Sequence, residues 1–188
     1  LANELANKYA LKVYTLMESP DGVLPMFKQR IVVYGDEGVS HSLETLGFEY
    51  DLVGASDLNT DVISSYDVFI NQGLRWSSLN AAGQTSVSDW FAAGGDDVGL
   101  GDRGRAIDFA VDAGWVDVVY EYITGNAIVK VDYDPNDSVA AGFHEDDYAF
   151  VYRSVWFTDA DDMAVSARLN SGDFLLSGFW EDWMTSGA

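Results

Sequence analysis

Between Arg30 and Gly114 short apolar runs alternate with helical stretches, and this rhythm restricts the fold more than any other feature of the chain. "RIVVYG" (30–35) is a β-branched run suited to a buried strand, and "VSHSLETLGF" (39–48) is a short helix that ends around Gly47. "EYDLVG" (49–54) is a second strand, and "SSYDVFINQG" (64–73) carries a third at 68–70. "SSLNAAGQTSVSDWFAAGG" (77–95) places Leu79, Ala82, Val87, Trp90 and Phe91 on one helical face. "DVGLG" (97–101) is the fourth strand and "RGRAIDFAVDAG" (103–114) the next helix. Strands alternating with helices predict an α/β fold with a doubly wound parallel sheet.

After Gly114 the character changes. "NAIVKVDYD", "YAFVYRSVWFT", "MAVSARL" and "DFLLSGFW" are strand-rich and separated by acidic turns, so they either extend the sheet or form an antiparallel appendage. Residues 1–29 form a lead-in helix and linker, with Leu1, Leu5 and Tyr9 at helical spacing, and residues 30–188 form the α/β domain. The chain opens on Leu1 without a signal peptide, which predicts a processed product or a piece of a longer polypeptide.

Charge narrows the partners. Ten basic residues face 31 acidic ones, for a formal net charge of −21. Such a field repels nucleic acid and anionic membranes, because both are bound by Lys and Arg that replace counterions. No apolar run reaches the roughly 20 residues that span a bilayer. The acidity has two readings, adaptation to high salt and an acidic secreted protein of ordinary habitat. Cysteine is absent, which removes disulfides, thiolate zinc sites and thiol catalysis together.

The turn "GLGDRG" (99–104) has the form G-x-G-x-x-G between a strand and a helix, where glycines admit a pyrophosphate to a helix N-terminus. That pattern belongs after the first strand, however, and here it follows the fourth. The first strand runs instead into "YGDEG", whose Asp36 and Glu37 repel phosphate. "AAGGDDVGLGDRG" resembles the helix-strand-turn that carries the nucleophile elbow of class I glutamine amidotransferase-like domains, which have a flavodoxin-like fold. Aligning Gly99-Leu100 with the start of that motif puts Gly101 where the family has its cysteine, and Asp102 just after it. A glycine supplies the bend but no nucleophile. His144, followed by Asp146 at His-x-acid spacing, is a weak counterpart of the family's histidine–acid pair.

A broader resemblance runs from about residue 8 to 183. The order of "RIVVYG", "LETLGFEYDLV", "DLNTDVISSYDVFINQG", "AAGGDDVGLG", "IVKVDYDPNDSVAAGF", "SVWFT" and "VSARLNSGDFLLSGFW" is similar to the amidotransferase-like region found C-terminal to the catalytic domain of some M14-type zinc carboxypeptidases. The resemblance implies a non-catalytic accessory domain of a secreted or cell-surface enzyme. It also implies a partner catalytic domain upstream in the same polypeptide, and zinc confined to that domain. ThuA-like domains share the "GG…VGL" turn but place a histidine where this chain has Gly101.

Two further sites follow from the residues. Asp102 and Arg103 at the end of a strand, with Arg75 and Trp76 on the neighbouring strand-end loop, could line a ligand crevice, since open α/β sheets bind ligands there. An alternative function rests on them: a small-molecule-binding or hydrolytic domain with Asp102 as acid, base or nucleophile. "DYDPNDS" sets Asp132, Asp134 and Asn136 at alternate positions, like the opening of a calcium loop, although a turn after a strand accounts for the same residues. The acids of "HEDDY" and "TDADD" would join a calcium site only if their loops converge. The C-terminal aromatics Trp156, Phe157, Phe179, Trp180 and Trp183 are expected in the core, with a docking patch as the alternative.

Overall fold

The computed structural model describes residues 28–101, 105–122, 125–140, 142–144, 147–153, 155–159 and 164–180. The lead-in helix, Asp102, Arg103, Gly104, Asp146, Trp183 and most of the acids of "HEDDY" and "TDADD" lie outside these residues, as does the side chain of Trp156.

Four strands build a parallel sheet: β1 (Ile31–Tyr34), β2 (Tyr50–Leu52), β3 (Val68–Gln72) and β4 (Asp96–Leu100). Their order is β2-β1-β3-β4, every pair parallel, so the chain reverses its direction of travel across the sheet between β1 and β3. The mixed α/β class with a parallel sheet matches the alternation read from residues 30 to 114.

Both faces of the central strands β1 and β3 are covered, while β2 and β4 stay largely exposed. On one face Ile31, Val33, Val68 and Ile70 pack against Val39 and Leu43 of α1 (Glu37–Leu46). Asp36 starts that helix, its Oδ1 accepting the Gly38 N–H at 2.9 Å. Gly47 ends it in the left-handed region (φ 79°), where only glycine is at ease, and the Phe48 N–H closes the last turn on Leu43 O. On the other face Val32 and Phe69 meet Leu58, Ile63, Leu74, Val87, Trp90 and Phe109. These come from a 3-10 turn (Asp61–Ser65), α2 (Ala81–Ala92), α3 (Arg105–Asp112) and the connecting loops.

The helical face predicted for 79–91 differs in part. Leu79 is buried but precedes the helix, and Ala82 is exposed. Phe91 also leaves the core, stacking on Trp115 with ring centres 4.1 Å apart. Gly83 takes the buried position because α2 comes so close to the 58–59 loop that a Cβ there would lie 2.7 Å from Leu58 O.

The C-terminal third is antiparallel and separate from the parallel sheet, which decides between the two expectations for it. Strands β6 (Asn126–Tyr133), β7 (Asp147–Tyr152), β9 (Ala167–Leu169) and β10 (Leu175–Phe179) form one sheet of order β10-β6-β7, with β9 also on β6. Its core is Ala127, Val129 and Val131, against Ala149, Val151, Leu169, Phe174 and Trp180. Strand β5 (Val119–Tyr122) pairs with β8 (Val155–Asp159), continuing the β6–β7 pairing along the same two chain segments. The junction is marked by Arg153 at φ 46°, whose N–H donates to Gly125 O at 3.1 Å. The aromatics split: Trp180 packs edge-on against Phe174, whereas Phe157 and Phe179 are exposed.

Candidate functional site

The parallel strands converge on a crevice at their C-terminal ends, the position where open α/β sheets take ligands. It encloses about 630 Å³ and is lined by Tyr34, Gly35, Asp36, Val53, Gln72 and Gly101. Every one of these residues lies at or just past the end of a strand. Gln72, the last residue of β3, accepts the Asp36 N–H on its Oε1 at 2.8 Å and so fastens the start of α1 to the strand beside it. Gly35 makes room for that bond, since a Cβ there would lie 3.0 Å from Gln72 Oε1.

Anions are poorly served here. The N-terminus of α1 would favour a phosphate, but the Asp36 carboxylate already caps it and Glu37 stands in its first turn. The geometry suits a neutral or cationic guest.

Two polar side chains, one fully buried and one partly, lie on the opposite face from α1 on adjacent strands. Asn71 of β3 is fully buried; its Oδ1 accepts the Leu74 N–H at 2.9 Å, while its Nδ2 has no hydrogen-bond partner among the described residues. Asp97 of β4 has Oδ1 shut off from solvent and likewise unpartnered, and burial pushes its carboxyl up to about 7. Register sets Asn71 beside Gly99 and Asp97 beside Phe69, so the two share a face at diagonal positions. Gly99 admits α3: a Cβ there would come within 2.9 Å of Ala106 Cβ. Gly101 is different, with nothing among the described residues within 4 Å of where its Cβ would be.

The sequence-predicted residues occupy several places. Gly101 lines the crevice. Trp76 belongs to an aromatic cluster, edge-on to Phe109 at 5.2 Å and to Trp115 at 6.2 Å. Arg75 is exposed and sits close enough to Tyr122 for its charge to act on that phenol. His144 is exposed in the loop before β7, its backbone N–H donating to Asp147 Oδ2 at 2.8 Å. Asp134 accepts from the Asn136 backbone and side-chain nitrogens, and Asp132 accepts from Asn170 Nδ2 at 3.0 Å. The Asp134–Asn136 bonds are those of a turn following a strand, whereas the Asp132 bond runs from within β6 to a residue 38 positions further on. Among the described residues no group of three or more His, Asp or Glu side chains is placed to hold a metal ion.

A second hollow of about 560 Å³ opens at the N-terminal end of the sheet, near Lys28, Arg30, Glu49 and Asp51. Its charges are engaged with their neighbours. Arg30 grips Asp67 through two side-chain nitrogens, Lys28 pairs with Glu49, and the Tyr66 hydroxyl donates to Asp51. The strand-end crevice is therefore the better candidate.

Tyr34, Val53, Gln72, Asn71 and Asp97 were not legible as site residues. Gln72 carried the one usable signal, a polar residue closing an apolar strand directly before a glycine. No protein-family model and no curated protein matches this chain. Among the described residues no helix is long and apolar enough to cross a membrane.

Proposed function

We propose that this chain is a non-catalytic, flavodoxin-like domain of the class I glutamine amidotransferase type, an accessory module of a secreted M14-type zinc carboxypeptidase. The observation that carries this reading is Gly101. It stands at the end of β4 on the rim of the strand-end crevice, where the resemblance puts the reactive cysteine, and it offers only backbone. The strand order β2-β1-β3-β4 supports the fold assignment, because it agrees with the first four strands of the 2-1-3-4-5 doubly wound arrangement. Neither His41 nor His144 is among the described residues that line the crevice, so no histidine of the family's kind is seen beside that bend. The test is direct. Pure chain is assayed for glutamine hydrolysis and for release of C-terminal residues from peptides, with none of either expected. Turnover that disappears on changing Asp102 or His144 would overturn the reading.

The open crevice favours a second reading, a site for a small neutral or cationic molecule. Thermal unfolding with millimolar polyols, amides and amines tests it. A melting temperature raised in the native chain but not in a Gln72→Leu variant supports binding at this place, and uniform indifference removes it.

A further inference from the structure

Strand β7 (Asp147–Tyr152) is an edge. In the order β10-β6-β7 it pairs with β6 on one side, and among the described residues no strand pairs with its other side. Edges of this kind are usually guarded by lysine, proline or a bulge within the strand. The run 148–152, "YAFVY", has none of these and no charge, in a chain with 31 acidic residues. Alternate residues divide its faces. Ala149 and Val151 join the sheet's core, while Tyr148, Phe150 and Tyr152 stand exposed on the other face, Phe150 at 69%. The Phe150 and Tyr152 rings lie nearly parallel, 9° apart.

We propose that β7 is a self-pairing edge through which two copies of this chain join their antiparallel sheets about a two-fold axis. The sequence of the strand selects the register. A two-fold axis perpendicular to the sheet keeps each face on its own side and pairs residues antiparallel. When the axis passes at Phe150, Phe150 meets its own counterpart, and Tyr148 meets Tyr152 of the second copy twice. All three exposed rings then gain a cross-strand aromatic neighbour. The charges agree. The same register sets Asp147 at the start of β7 opposite Arg153 of the second copy, just past the strand's other end, and symmetry repeats the pair. Ala149 and Val151 line up across the junction, so the core of one sheet continues into the other. Against this works the charge of −21 on each copy, a long-range repulsion that salt screens. Association is therefore salt-dependent, weak in dilute buffer and strong at molar salt.

Sedimentation equilibrium of the full chain across a range of potassium chloride concentrations tests the proposal. A monomer at low salt passing to a closed dimer at high salt is expected. Phe150→Lys and Phe150→Glu change an exposed ring and place like charges at the axis, so each alone weakens the dimer about tenfold or more. Both variants should keep the native far-ultraviolet dichroism. Because position 150 meets itself, mixing the two opposes the introduced lysine and glutamate and restores a heterodimer. A chain that stays monomeric at molar salt overturns the proposal. So does a dimer indifferent to Phe150→Lys, a mixture that fails to reassociate, or an open-ended assembly.

Discussion

Asp97 of β4 lies in register with Phe69 of β3, so an ionisable carboxyl shares a sheet face with one of the most deeply buried rings in the protein. Phe69 in turn meets Trp90 and Phe109 edge-on at 6.4 and 6.3 Å. An apolar ring beside it cannot solvate a charge, and Asp97 Oδ1, shut off from solvent, finds no donor among the described residues.

The consequence is a pH dependence with a definite sign. The Asp97 carboxyl is held at about 7, above its ordinary value of 3.8, so between those two limits the folded chain binds more protons than the unfolded one. Stability attributable to this group is therefore full below about pH 4, falls as pH rises toward 7, and is level above it. Asp97→Asn removes the titration while keeping the shape. Chemical unfolding at pH 5 and pH 8 should show the variant gaining on the native protein with rising pH, by about 1–3 kcal/mol at pH 8. Equal stability differences at the two pH values would show that the carboxylate is solvated after all.

Gly99, inside β4, and Gly101, just past its end, should part company. Ala106 of α3 packs so tightly on Gly99 that a Cβ would lie 2.9 Å from its own, so Gly99→Ala must displace the helix. That overpacking should cost about 1–3 kcal/mol. Gly101 meets no described residue at its Cβ position, and Gly101→Ala should change stability by about 0.5 kcal/mol or less. Denaturant midpoints of the two variants decide it. A large loss at Gly101 would mean that the bend itself requires glycine, and that its open position is not simply vacant room beside the crevice.

What the sequence made legible is the alternation of "IVVY", "YDL", "VFINQ" and "DDVGL" with helices, because the central strands β1 and β3, buried along most of their length, read as short apolar runs and Gly47 marks a helix end. It hid whatever depends on register. Asp97 reads as the opening residue of the strand "DVGLG", and only when β4 is laid against β3 does it share a face with Phe69. Asn71 reads as the polar tail of a strand, yet it is completely buried. Trp76 illustrates the opposite difficulty. A tryptophan after a strand end reads equally as a ligand platform or as core, and the rings of Phe109 and Trp115 draw it into the aromatic cluster. The exposed rings of β7 follow from alternation alone, but that β7 is an edge follows only from the pairing of the other strands.

Asp108 of α3 binds the antiparallel ribbon to the parallel layer. Its carboxylate accepts the hydroxyls of both Tyr120 and Tyr122 of β5, the latter at 2.7 and 2.8 Å. The bond to Asp108, with desolvation behind it, holds the Tyr120 phenol protonated well beyond the usual range. For Tyr122 desolvation comes first and the bond to Asp108 second. In Asp108→Asn the anionic acceptor is gone, so Tyr120 should ionise at distinctly lower pH and Tyr122 should move less. Ultraviolet titration of the phenols reads both. An unchanged titration curve would mean that the helix and the ribbon are not joined through this carboxylate.

Salt should stabilise the fold itself, apart from any association. A formal charge of −21 on 188 residues loads the folded surface with mutually repelling carboxylates, and unfolding separates them. The screening length falls from about 30 Å at 0.01 M to about 10 Å at 0.1 M and 3 Å at 1 M, so most of the relief from repulsion comes early in a titration with potassium chloride. A melting temperature measured at fixed low protein concentration should climb steeply up to a few tenths molar. Any further rise toward molar salt that is larger with sulfate than with chloride belongs to strengthened apolar burial, because excluded anions favour compact states whatever the net charge. The two regimes separate the causes of the acidity. A steep early rise followed by continued gain marks a chain suited to high salt. Full stability in dilute buffer marks acidic residues spaced well enough that their repulsion never limits the fold.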